Sequence, residues 1–206
     1  DSEEVRKDQA LTLWNRYGAL LIGFVVLAVV ATAVWQAWTF WSLNQRRADG
    51  DLFMIGLEML ANNLPGEAEA EFKALEVDAW GGYQALASLQ RAAALIAAGD
   101  REAGIEVYDR LSEDRSQEST LRDLARLLAV QNLLDTADSK TISQRLAPLL
   151  ETDNTWRFSA LELSGLAEMR NGNLNAARIT FTQLIDDPAT PQGVRARAAE
   201  IVAAIG

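Results

Sequence analysis

The chain has 206 residues, a formal net charge of −10, and neither histidine nor cysteine. Disulfides, thiolate or imidazole metal sites and histidine acid–base catalysis are therefore excluded. The acidic balance argues against nucleic acid as a partner.

Residues 1–16 form a short tail with charges of both signs. From there, residues 17–45 carry no charge for 29 positions, and Ala19 to Trp35 is apolar apart from Gly23 and Thr32. About 20 apolar residues at about 1.5 Å rise each cross the hydrocarbon layer. Trp14 and Tyr17 at one end, and Trp35, Trp38 and Trp41 at the other, supply the aromatic rings that favour the two membrane interfaces. The sequence thus predicts one transmembrane helix over 17–41 and a juxtamembrane linker over 42–47. A cleavable signal peptide is the competing reading, because Ala31-Thr32-Ala33 has the small-x-small pattern of a processing site. The mixed-charge tail, and the tryptophans that cleavage would strand, favour the anchor. Ala28 and Thr32 add a small-x-x-x-small spacing that permits close helix contact.

Beyond the linker, residues 48–206 hold 25 acidic and 14 basic side chains, a balance near −11. Helical periodicity there predicts helices over 48–62, 66–77, 81–98, 101–113, 117–135, 140–151, 155–171, 174–186 and 192–205. The turns are Asn62 to Gly66, Gly99-Asp100, Asp135 to Asp138 and Asn171 to Asn173. Trp80-Gly81-Gly82-Tyr83 reads as a further junction, since it lacks a phosphate-loop fingerprint.

A period runs through these helices. Phe72, Tyr108, Leu146 and Phe181 lie 36, 38 and 35 residues apart. Sixteen residues before each stand Gly56, Ala92, Val130 and Gly165; four before, Ala68, Gly104, Ile142 and Ala177; three after, Leu75, Leu111, Leu149 and Leu184. A small residue on the first helix admits a bulky one from the second, and this rule repeated at about 34 residues is tetratricopeptide logic. The expected fold is all-α: one N-terminal transmembrane helix, then a tetratricopeptide-like α-solenoid of about four helix pairs with a C-terminal capping helix. Two pairs read clearly; the first and third are degenerate, with Ala137 and Val130 where glycine is usual.

The order of Leu13-Trp14-Asn15-Arg16-Tyr17-Gly18 entering the span, Trp41 to Arg47 leaving it, degenerate helix pairs and a closing Arg195-Ala196-Arg197-Ala198 helix resembles the YfgM-like family. That resemblance implies a bitopic bacterial inner-membrane protein, an ancillary subunit of the Sec translocon. Its partners would be the translocon and a periplasmic chaperone or client polypeptides. An accessory or assembly subunit of another membrane complex, respiratory or cell-envelope, is the alternative. Three Lys/Arg precede the span closely and two follow it, so the positive-inside rule leans toward a cytoplasmic N-terminus. The resemblance, more than this count, places residues 48–206 in the periplasm.

No catalytic arrangement stands out and no metal or cofactor is expected. The carboxylates at Glu67, Glu69 and Glu71 point apart on a helix, and Ser164 has no histidine to activate it. Binding of protein partners is the expected function. On the tetratricopeptide register the groove candidates are Leu86, Leu89, Ile96, Leu124, Leu127, Gln131, Leu134, Leu166, Met169 and Arg170. The competing reading is that these apolar positions are core.

Overall fold

The computed structural model describes the backbone of residues 2–79 and 82–206, and the side chains at Phe24 and from Leu27 onward within that range. Among the described residues the chain is all-helical. The helices are α1 (Ser2–Ala61), α2 (Pro65–Asp78), α3 (Tyr83–Ala97), α4 (Arg101–Glu113), α5 (Ser119–Leu133), α6 (Ser139–Leu146), α7 (Arg157–Arg170), α8 (Leu174–Asp186) and α9 (Gln192–Ile205). A short 3-10 turn, Ala147–Leu149, follows α6.

Residues 42–47, expected as a linker, are helical and continuous with α1. Ser42-Leu43-Asn44-Gln45-Arg46-Arg47 contains neither glycine nor proline, so nothing there breaks the backbone hydrogen-bond ladder. The chain divides into two compact units at Ala48 and Asp49. The first is the greater part of α1. Among its described residues, no helix is long and apolar enough to cross a membrane. Much of the expected span, residues 17–23, 25 and 26, lies outside the described side chains.

The second unit, Asp49–Gly206, pairs the end of α1 with α2, α3 with α4, α5 with α6, and α7 with α8, and α9 packs on α8. Among the described residues its core is a chain of four apolar clusters, three of which bridge an inner helix, its outer partner and the next inner helix. Phe72 and Leu75 meet Phe53, Leu57 and Ala87 in one, and Val107 and Tyr108 meet Ala92 and Ala125 in the next. In the third, Ile142, Leu146 and Leu149 meet Val130 and Leu163; the last gathers Phe181 and Leu184 with Val194 and Ala198 of α9.

All sixteen residues of the repeat pattern are buried. The small positions work by admitting rings: a Cβ on Gly56 would lie 2.6 Å from the Phe72 ring, and one on Gly165 2.7 Å from that of Phe181. In the second pair the close approach moves to Gly104, whose Cβ would lie 2.8 Å from the Ala92 carbonyl. The third pair has Val130 against Ile142 and Leu146, with no aromatic.

Local signals end the helices. Asp100 accepts the Ala103 amide at 3.1 Å and Asp138 the Thr141 amide at 2.8 Å, satisfying N-terminal donors of α4 and α6. Gly99 (φ 96°) and Gly172 (φ 79°) adopt the left-handed conformation after α3 and α7, and Asn63 (φ 60°) does so after α1. In each turn two amides fold back onto the last helical carbonyls, as Gly99 to Ile96 and Asp100 to Leu95 do. α6 stops earlier than the pattern predicts because Pro148 cannot continue the ladder.

Candidate functional site

The groove candidates fall on α3, α5 and α7 and the turn after α5, but not on one open face. Leu89 and Leu127 are buried core residues. Ile96 and Leu124 pack against the α3–α4–α5 cluster, Leu134 against the α5–α6–α7 cluster, Met169 against the α7–α8–α9 cluster, and Leu166 against both of the last two. Leu86 and Gln131 are exposed. α3, α5 and α7 are each covered by outer helices on two sides, which is why an apolar stripe on them reads as core.

Arg170 is exposed, yet its guanidinium is engaged. It donates to the Leu134, Asp135 and Ala137 carbonyls, the last at 3.0 Å. These lie in the turn that lacks the left-handed residue found after α1, α3 and α7. The cation binds carbonyls of the turn itself, just past the last residue of α5, where the helix dipole also favours positive charge.

Further polar ties join an element to its predecessor in the chain or to the one before that. Arg91 of α3 binds Glu69 at 2.8 Å and Glu76 at 2.6 Å on α2, and Ser88 donates to Glu76 at 3.0 Å. These carboxylates help hold the Arg91 pKa above its ordinary value, against the desolvation that opposes them. Arg145 of α6 reaches Asp109 of α4 at 2.5 Å, and Arg197 of α9 reaches Glu162 of α7 at 2.6 Å. The Trp156 indole donates to the Thr120 carbonyl at 3.0 Å.

Two surface features escaped the sequence reading. A polar cleft of about 260 Å³ lies beside Glu76, Ser88, Arg110 and Asp114. Leu52, Met54 and Ile55 are exposed near the end of α1. The repeat register holds the signal for the second feature. Leu52 and Ile55 stand where Ser88 and Arg91 stand in the next pair, and those two face a preceding outer helix.

Of the aromatic belt, Trp14 and Tyr17 lie outside the described side chains. Trp35, Trp38 and Trp41 are 75%, 61% and 48% exposed, and the last two rings are 5.8 Å apart. Ala28 and Thr32 line a shallow hollow with Phe24 and Gln36, and the Thr32 hydroxyl donates to the Ala28 carbonyl at 2.8 Å. Trp80 and Gly81 of the second junction lie outside the described residues, while Tyr83 opens α3 with its ring 5.8 Å from Phe53. No group of three or more acidic residues converges as a metal site among the described residues.

Residues 12–199 match the family described as tetratricopeptide repeat-like domain. No curated protein and no solved structure matches the chain. Domains of this kind mediate protein–protein contacts, and a protein-binding scaffold is the role the fold carries. With the match spanning nearly the whole chain and all four helix pairs in place, this protein belongs to the tetratricopeptide repeat-like domain family.

Proposed function

We propose that the chain is a membrane-anchored adaptor, held by one helix over residues 17–41, that presents its repeat domain to protein partners at the periplasmic face of a bacterial inner membrane. The observation that carries this reading is the uncharged run of residues 17–45 ending in three tryptophans. Trp35 and Trp38 keep more than half of their surface exposed and Trp41 nearly half, and an exposed ring of that size is better placed at a lipid headgroup than in water. The family match supports it as well, since it begins at residue 12 and takes in the apolar run with the repeats.

The partner we favour is the Sec translocon, with a periplasmic chaperone or client polypeptides on the repeat domain; this choice rests on the resemblance to the YfgM-like family. The test is a mild-detergent pull-down of the full chain with mass spectrometry, beside residues 48–206 alone. Translocon and chaperone subunits enriched only with the full chain are the expected result. Enrichment of a different membrane complex would discard the export role and leave the anchored adaptor.

A further inference from the structure

Among the outer helices α6 is the odd one. It has 8 residues where α2, α4 and α8 have 14, 13 and 13. It lacks the aromatic that the others drive into their inner partner, and Val130 stands opposite where glycine or alanine lets the other pairs close. The helix itself buries only Ile142 and Leu146, and Leu149 is buried in the 3-10 turn that follows. Its side-chain tie to another helix is the ion pair of Arg145 with Asp109, about one-third exposed on each side. A two-turn helix has little propensity to persist without its packing, so it is the outer helix that opens most readily. The face beneath it is apolar: Leu127 and Val130 of α5, Leu163 and Ala167 of α7.

We propose that α6 is a displaceable occupant of a helix-binding groove between α5 and α7. The partner that takes its place is a short amphipathic helix with apolar residues at i, i+4 and i+7. The occupant's chemistry is read from what already sits there: Ile142, Leu146 and Leu149 have that spacing, which is the register of helix-in-groove recognition. The inference rests on the adaptor reading and gives it a mechanism, since the buried Leu127 becomes a binding residue only when α6 leaves.

The probe is a fluorescein-labelled peptide of residues 138–150 of this chain, titrated into the full-length protein in detergent. Saturable binding is expected. Arg145→Gln should tighten it about twofold to fivefold, the worth of a partly exposed ion pair. In a D109C/R145C variant, closing the two thiols with a short bismaleimide ties α6 to α4; the chain has no other cysteine, so this link is selective. The tether should abolish peptide binding, and the same variant left unlinked should retain it. Amide exchange of the unmodified protein supplies an independent reading: residues 139–149 should exchange ahead of α4 and α8. No peptide binding, binding that the tether leaves unchanged, or α6 amides as protected as those of α8 would each overturn the proposal. Partners retained by the tethered protein in the pull-down would sink this inference and spare the adaptor reading. Tether-sensitive peptide binding with no partner retrieved would do the reverse.

Discussion

Gly165 is needed for space rather than for backbone freedom, because a methyl there would collide with the Phe181 ring at 2.7 Å. Gly165→Ala should therefore destabilise the repeat domain by about 1–3 kcal/mol, the usual cost of overpacking a core. A double variant with Phe181→Leu should cost less than the two single changes summed, since the smaller side chain frees the volume the methyl needs. Strict additivity in chemical denaturation would show that the two do not share that space. The acid side of the stability curve has an equally local origin. The Asp138 carboxyl is held below its ordinary value by the Thr141 amide and then the Thr141 hydroxyl, that of Asp114 by Ser116, and that of Asp187 by the Ala189 amide and Arg157. A depressed folded pKa stabilises whenever the group is ionised. The contribution is complete above the unfolded value of about 4 and disappears as pH falls through the lower folded value. Asp138→Asn keeps a cap but removes that titration. Its melting temperature should fall less steeply than the parent's below about pH 4; superimposable curves by circular dichroism would refute the assignment.

At the scale of the helix, Arg170 has a role that no composition rule suggests. Arg170→Ala should cost about 1 kcal/mol, because three carbonyls of the turn after α5 lose a charged donor while remaining near water. Denaturant unfolding measures the loss, and an unchanged midpoint would mean water replaces the cation fully. The helix pairs were legible in sequence because their alternation of small and bulky residues at fixed spacing is a packing requirement, and it appears in the residue types themselves. Arg170 was not legible as a cap: the absence of a glycine at Ala137 marks a missing turn, but nothing marks which side chain from α7 replaces it. The groove was equally unreadable. Leu89 and Leu86 are three apart on one apolar helix, yet one is buried and the other exposed, and only the placement of the outer helices separates them. A test of partner binding by charge must follow that distinction. Leu127→Glu should unfold the domain, costing more than about 4 kcal/mol as a buried unpaired charge does, whereas Leu86→Glu should leave the fold intact. If Leu127→Glu melts like the parent, the α5 face is open after all.

For the molecule as a whole, the boundary at Ala48 and Asp49 carries a physical consequence. Among the described residues, the four apolar clusters of the second unit are built from Phe53 onward. The far end of the stack is closed by α9, whose Val194 and Ala198 are buried on α8 and whose last carbonyls receive the Arg178 guanidinium. The near end keeps Leu52 and Ile55 exposed, so it is the less protected of the two. Residues 48–206 alone should accordingly be helical by circular dichroism and unfold in a single cooperative transition, with self-repulsion from a charge near −11 helping to keep copies apart. The full chain should instead resist alkaline extraction from membranes and require detergent. Two outcomes would separate the possible errors. A fragment that fails to fold would show that the first unit supplies core contacts. A full chain released by alkali would remove the anchor while leaving the repeat domain as described.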